Sequence, residues 1–138
     1  MSVFAGLRER EAAGRPIRVG IIGAGATGRA IALQLGTPVP GIRLVGIANR
    51  TAVHGERAFL EAGMMQWGAV TNSRDAEAAI ARGLSVLTDD PTVLTQCEAV
   101  DLIVEVTGTI EPAASVVLDA FTHGKNVVLV NAELDSLV

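Results

Sequence analysis

Ile17-Arg18-Val19-Gly20-Ile21-Ile22-Gly23-Ala24-Gly25-Ala26-Thr27-Gly28 is the stretch that decides how this chain folds. The aliphatic run 17–22 reads as a strand and stops at the first of three glycines at G-x-G-x-x-G spacing. Arg29 to Leu35 continues at helical spacing, so the glycines lie on a strand-to-helix turn. The spacing alone is weak evidence, but in a strand–turn–helix each glycine has a physical role. Gly23 allows the tight turn, Gly25 lets the backbone approach a pyrophosphate, and Gly28 lets helix and strand pack closely. The helix start offers unpaired N–H groups and a partial positive charge, which suit a diphosphate. Gly23, Ala24, Gly25, Ala26, Thr27 and Gly28 are therefore candidate contacts for a dinucleotide. The alternative is a glycine cluster that serves the turn alone.

The composition agrees with such a domain. The chain has 138 residues, enough for one domain that buries about 68–70% of its unfolded surface. Hydrophobic residues make up 49%, aromatics only 3%, and tyrosine is absent, so Val, Ile, Leu and Ala must supply the core. That bias suits a parallel sheet covered on both faces. A net charge of −4 argues against a nucleic-acid surface. No run approaches the roughly 20 apolar residues of a membrane helix, and no signal-peptide core precedes the first strand, so a cytoplasmic protein is expected. Cys97 is the single cysteine and reads as a structural thiol. His54 and His123 belong to no metal-binding spacing, and no metal site is expected.

Taken in order, residues 2–13 predict an accessory helix with Val3, Phe4 and Leu7 on one face, and 1–16 form this helix and its linker. Helices are expected at 26–36, 52–63 and 73–83, the last capped by Ser73, with the stretch 64–72 irregular. Asp90-Pro91 starts a short helix and Glu111-Pro112 a longer one ending at Gly124. Strands are expected at 42–48, 84–88, 101–106 and 126–130. Alternation of strands and helices implies right-handed crossovers and an α/β, Rossmann-type doubly wound parallel sheet over 17–138. Its expected strand order is 3-2-1-4-5, counted from the N-terminus, with the extra helix in front.

The end of the second strand bears on which dinucleotide is held. NAD sites place Asp or Glu there to accept from the ribose hydroxyls. Here the residues are Asn49, Arg50 and Thr51. A guanidinium at that place grips an adenosine 2′-phosphate, which a carboxylate would repel, so NADP (NADPH) is expected, with NAD the other possibility. His54 or Arg57, one turn on, would reinforce the charge. Thr107, Gly108 and Thr109 end the fourth strand, across the switch point, and face the nicotinamide half; Asn131, after the fifth, completes the candidate set. A plain strand-to-helix turn is the alternative for 107–109. Glu105 is a carboxylate in an aliphatic strand, costly to bury unpaired, so it should meet a helix start, a basic group or the site itself, and a structural role is expected ahead of a place in the site.

The segments 15–25, Gly46-Ile47-Ala48-Asn49-Arg50, Thr88-Asp89-Asp90-Pro91, Val104-Glu105-Val106-Thr107-Gly108 and 124–133 together resemble the homoserine-dehydrogenase-like NAD(P)-binding family. Within it the likeness is nearest to oxidoreductases carrying a SAF domain, some of them 1-deoxy-D-xylulose 5-phosphate reductoisomerase-like. The resemblance implies a dinucleotide domain followed by a catalytic and oligomerisation portion, and a C-terminal catalytic portion is expected beyond Val138. Homoserine dehydrogenases follow this strand with an Ala-Asn-Lys-type motif whose lysine is catalytic. Here the residues are Asn131-Ala132-Glu133, so no catalytic residue carries over.

Two functions of different class follow. One is the cofactor-binding part of an oxidoreductase, NADP-preferring, with little or no turnover from these residues alone, since no convincing His, Lys or Tyr base accompanies the turn. The other is a stand-alone, non-catalytic dinucleotide sensor or regulatory module. A scaffold for a sugar nucleotide or flavin is a third, weaker option. The expected partners are the cofactor and a second copy of the chain, through an apolar sheet edge beside the last strand, with neither nucleic acid nor membrane.

Overall fold

Aliphatic runs of four to seven residues become the inner strands of one parallel sheet, buried from both sides. The computed structural model describes residues 3–37, 39–107 and 110–130. Along these the order is α1 (Val3–Ala12), β1 (Ile17–Ile22), α2 (Ala26–Gly36), β2 (Ile42–Ala48), α3 (Ala52–Glu61), β3 (Trp67–Ala69), α4 (Ser73–Ala81), β4 (Ser85–Thr88), α5 (Pro91–Thr95), β5 (Leu102–Glu105), α6 (Ile110–Thr122) and β6 (Asn126–Leu129). The sheet runs β3-β4-β2-β1-β5-β6, with every pairing parallel. The doubly wound order expected from the sequence is present, and one strand is added outside it.

That strand, β3, occupies the stretch expected to be irregular. Three residues are too few for a periodic signal; β3 exists because its backbone pairs with β4 and Trp67 stacks on Phe59, centroids 5.9 Å apart. A second difference lies at α4, where Asn72 rather than Ser73 is the cap. Asn72 holds the extended conformation a cap needs, and its side chain accepts from the Asp75 N–H at 2.8 Å. Asp90 caps α5 as expected, accepting from the Thr92 N–H at 2.9 Å, with Pro91 following.

Two apolar layers flank the sheet. Phe59 and Ala32 bring α3 and α2 against Ile21, Ile47 and Val104 on one face. On the other, α4, α5 and α6 cover Ile22, Val86 and Ile103. Leu94 of α5 sits over two paired glycines: a Cβ on Gly20 would lie 3.2 Å, and one on Gly46 2.7 Å, from its methyl carbons. These strand glycines therefore make room for a helix, a role that β-propensity counts against. At the edge, Val128 and Leu129 of β6 and Phe121 of α6 are exposed.

The accessory helix α1 is held chiefly by polar contacts. Glu11 accepts from the Gly41 N–H at 2.8 Å and pairs with Arg43 at 2.6 Å, while Phe4, on the face expected to pack on the sheet or on a partner chain, is exposed. The Arg43 hydrogen bond, then the Gly41 N–H, hold the Glu11 carboxyl below its usual range.

Arg18 and Asp101 tie the amino ends of β1 and β5 together. Asp101 accepts from the Arg18 main-chain N–H at 2.9 Å, and its two oxygens from the guanidinium at 3.1 Å each. Partial burial raises the Asp101 carboxyl, and the Arg18 hydrogen bonds outweigh it, leaving a net lowering from 3.8. A lowered native value means stability that is fully present above the unfolded value and lost as pH falls through the native one. Asp101→Asn is therefore expected to melt lower than wild type by a constant few degrees between pH 7 and 5, about 1 kcal/mol for this half-exposed pair. The difference should close below about pH 4, where the wild-type carboxyl also gains its proton; thermal melts across that range check it. A Cβ on Gly28 would lie 2.2 Å from the Gly23 carbonyl oxygen, which is backbone and cannot step aside. Gly28→Ala is expected to cost about 3 kcal/mol, or roughly 10 °C in Tm.

Candidate functional site

The cleft lies at the carboxyl ends of β2, β1 and β5, where crossovers leave β1 in opposite directions. Its volume is about 560 Å³, and its lining includes Gly23, Ala24, Gly25, Asn49, Arg50, Thr51 and Thr107. The turn forms because Gly23 adopts φ +113°, open to glycine, while Gly28 is buried against it and lets α2 start directly above. Gly25 is exposed, with no protein atom within 4 Å of a Cβ built on it, so its backbone faces open space. The cap of α2 carries no side-chain hydrogen bond, and the N–H groups of Gly25, Ala26 and Thr27 meet no acceptor among the described residues. Unpaired donors at a helix start, on a turn with no side chain in the way, fit a diphosphate.

Asn49 locks this turn to the next. Its Oδ1 accepts from the Ala24 N–H at 3.0 Å, and its Nδ2 donates to the Thr51 carbonyl at 2.9 Å. Arg50, one residue on, is exposed and makes no hydrogen bond or ion pair among the described residues. His54 lines the cleft beside it. Arg57 does not: it pairs with Glu61 at 2.8 Å on the outer side of α3, because i and i+4 meet along the helix.

Across the cleft, Glu105 ends β5 and is 2% exposed. One oxygen, Oε1, accepts from the Thr107 N–H at 2.7 Å and the Thr107 hydroxyl at 2.5 Å. The other, Oε2, is buried with no hydrogen-bond partner among the described residues.

Of the residues expected from sequence, seven share the cleft wall. Ala26, Thr27 and Gly28 do not line it: they form the first turn of α2, with Gly28 beneath. Gly108, Thr109 and Asn131 lie outside the described residues. Asp89 and Glu105 line the cleft without having been candidates. Asp89 follows the strand that pairs with β2, so only the sheet order places it there. The signal for Glu105 was present, a lone carboxylate in an aliphatic strand.

Other features lie away from this edge. A depression of about 500 Å³ is lined by Leu35, Gly36 and Thr37 at the carboxyl end of α2, where the helix dipole disfavours phosphate. Cys97 is buried, which pushes its thiol up, and its carbonyl accepts from the Lys125 Nζ at 2.5 Å near the amino ends of the strands. Among the described residues no helix is long and apolar enough to cross a membrane, and no cluster of His, Cys, Asp or Glu is suited to a metal.

Comparison with known proteins bears on the fold and the family. The NAD(H) and myo-inositol complex of myo-inositol dehydrogenase from Lactobacillus casei superposes with a TM-score of 0.62, at 22% identity over 83% of this chain. The scyllo-inositol dehydrogenase from the same organism gives 0.58, at 17% identity over 83%. An NAD binding oxidoreductase from Klebsiella pneumoniae gives 0.57, at 18% identity over 83%. At these identities the likeness is one of fold. The chain spans 28%, 28% and 27% of those three structures' own length. No curated protein matches the sequence. Residues 23–136 match the family described as homoserine dehydrogenase, NAD binding domain, and with most of its length so matched this chain belongs to that family of dinucleotide-binding oxidoreductase domains.

Proposed function

We propose that this domain holds NADP in preference to NAD, as the cofactor-binding part of an oxidoreductase whose substrate groups come from outside these residues. The observation that carries the preference is the pair at the end of β2. A carboxylate there would accept from the adenosine ribose and repel a 2′-phosphate. Asn49 has instead committed its amide to the Ala24 N–H and the Thr51 carbonyl, and Arg50 keeps an unpaired guanidinium at the mouth of the cleft. That fork grips a phosphate with two parallel N–H bonds, and its plane stacks on adenine. Thr51 and His54 border the same place.

Under this reading the diphosphate rests on the N–H groups of Gly25, Ala26 and Thr27. Thr107, Gly108, Thr109 and Asn131 attend the nicotinamide half. When bound, the nicotinamide supplies the hydride chemistry, and the protein supplies position and polarity. The residues quoted for the family likeness also support the finer grouping with SAF-domain oxidoreductases. The exposed Val128, Leu129 and Phe121 support self-association, or docking of a catalytic portion, along β6.

Calorimetric titration with NADPH and NADH tests the preference. Arg50→Ala is expected to weaken NADPH about tenfold and to leave NADH nearly unchanged; equal losses for both would remove the argument. Asn49→Asp keeps an acceptor for the Ala24 N–H and adds the missing charge, so the NADPH-to-NADH affinity ratio should fall. An unchanged ratio would mean that the end of β2 does not sense the 2′-phosphate.

A further inference from the structure

We propose that Glu105 is a ligand contact: its Oε2 accepts a hydrogen bond from the nicotinamide–ribose half of the dinucleotide, and so favours the whole cofactor over its adenosine fragments. The proposal rests on the dinucleotide reading but not on the NADP preference.

A carboxylate offers about four lone-pair sites, and buried polar groups are rarely left without a donor. At Glu105 the two oxygens differ sharply: among the described residues Oε1 has two donors from Thr107 and Oε2 has none. The cleft wall includes the apolar residues Ile22, Pro91, Val106 and Val116, and among the described residues no donor is paired with Oε2. Arg18 of β1 and Lys125, just before β6, sit at the amino ends of the strands, engaged with Asp101 and the Cys97 carbonyl.

The sheet order says which part of a dinucleotide reaches Glu105. With the adenosine end at β2 and the diphosphate over the turn after β1, the remaining half crosses to β5, the next strand. Diphosphate oxygens accept and cannot pair with a carboxylate. Only the second ribose, through its hydroxyls, and the carboxamide, through its N–H groups, carry donors. Oε2 is closed to solvent in the free chain although Glu105 lines the cleft, so on this proposal binding opens it to the donor. The rival role, in which Glu105 only fixes that turn, uses Oε1 alone and leaves Oε2 unexplained.

Glu105→Gln separates the two roles, because the amide oxygen still accepts from Thr107 while the other position becomes a donor. ADP, ADP-ribose and NADH are titrated into the chain by calorimetry. In the variant, NADH is expected to weaken about tenfold while ADP is unchanged. Loss extending to ADP-ribose assigns the ribose hydroxyl, and loss confined to NADH assigns the carboxamide. An unchanged NADH-to-ADP affinity ratio overturns the proposal, as does equal weakening of all three. Wild-type protein gives an independent readout should the variant not fold. With ¹³C-glutamate labelling, the infrared difference spectrum should show a shifted carboxylate band on binding NADH and none on binding ADP; identical spectra overturn the proposal. Folded wild-type protein that binds none of the three ligands refutes the dinucleotide reading itself, whereas binding of all three with an unmoved ratio refutes only the role of Glu105.

Discussion

The approach of the Gly28 main chain to the Gly23 carbonyl governs the carboxyl edge of this sheet. Because no side chain intervenes, α2 begins directly over β1 and its first N–H groups open into the cleft. The same closeness packs Gly23 against Val106 and Thr107, so the turn after β1 and the end of β5 form one surface. Asn49 adds the third side by bonding Ala24 to the turn after β2. Three strand ends are thus held in register by one steric contact and one amide.

On that rigid floor the polar groups are unequally satisfied, and the inequality gives the cleft its direction. Among the described residues a guanidinium stands without a partner at the β2 side, and a carboxylate oxygen does at the β5 side. A phosphate suits the first and a neutral donor the second. Between them lie the backbone N–H groups of the turn after β1. A molecule with an anionic end, a diphosphate centre and a hydroxyl- or amide-bearing end matches this sequence of demands, and a dinucleotide is such a molecule.

Much of this was legible along the chain. The aliphatic runs, the three spaced glycines and the turn residues Gly124 and Asp90-Pro91 predict the alternating elements, since each signal is local in sequence and its cause is backbone geometry. Asn49, Arg50 and Thr51 could be placed because the end of a second strand is a definite point in this topology. Features made by pairing were hidden. β3 depends on the edge of β4 and on Phe59, Asp89 reaches the cleft through a neighbouring strand, and Gly20 with Gly46 form a seat for Leu94. None of these partners is near in sequence. The cap at Asn72 instead of Ser73 shows the same limit on a small scale, since both residues can cap and only the backbone angle chooses.

By itself the sequence determined the class of fold and the kind of ligand, because strand runs and a glycine turn follow from the conformations that each residue permits. Only the tertiary structure decided which polar groups are left over. Asn49 is used up in joining two turns, Arg57 is drawn to Glu61, and Glu105 goes under the cleft with half of its carboxylate unmet. Hydrogen-bond satisfaction is a property of neighbours in space, so it emerges only once distant strands have been laid side by side.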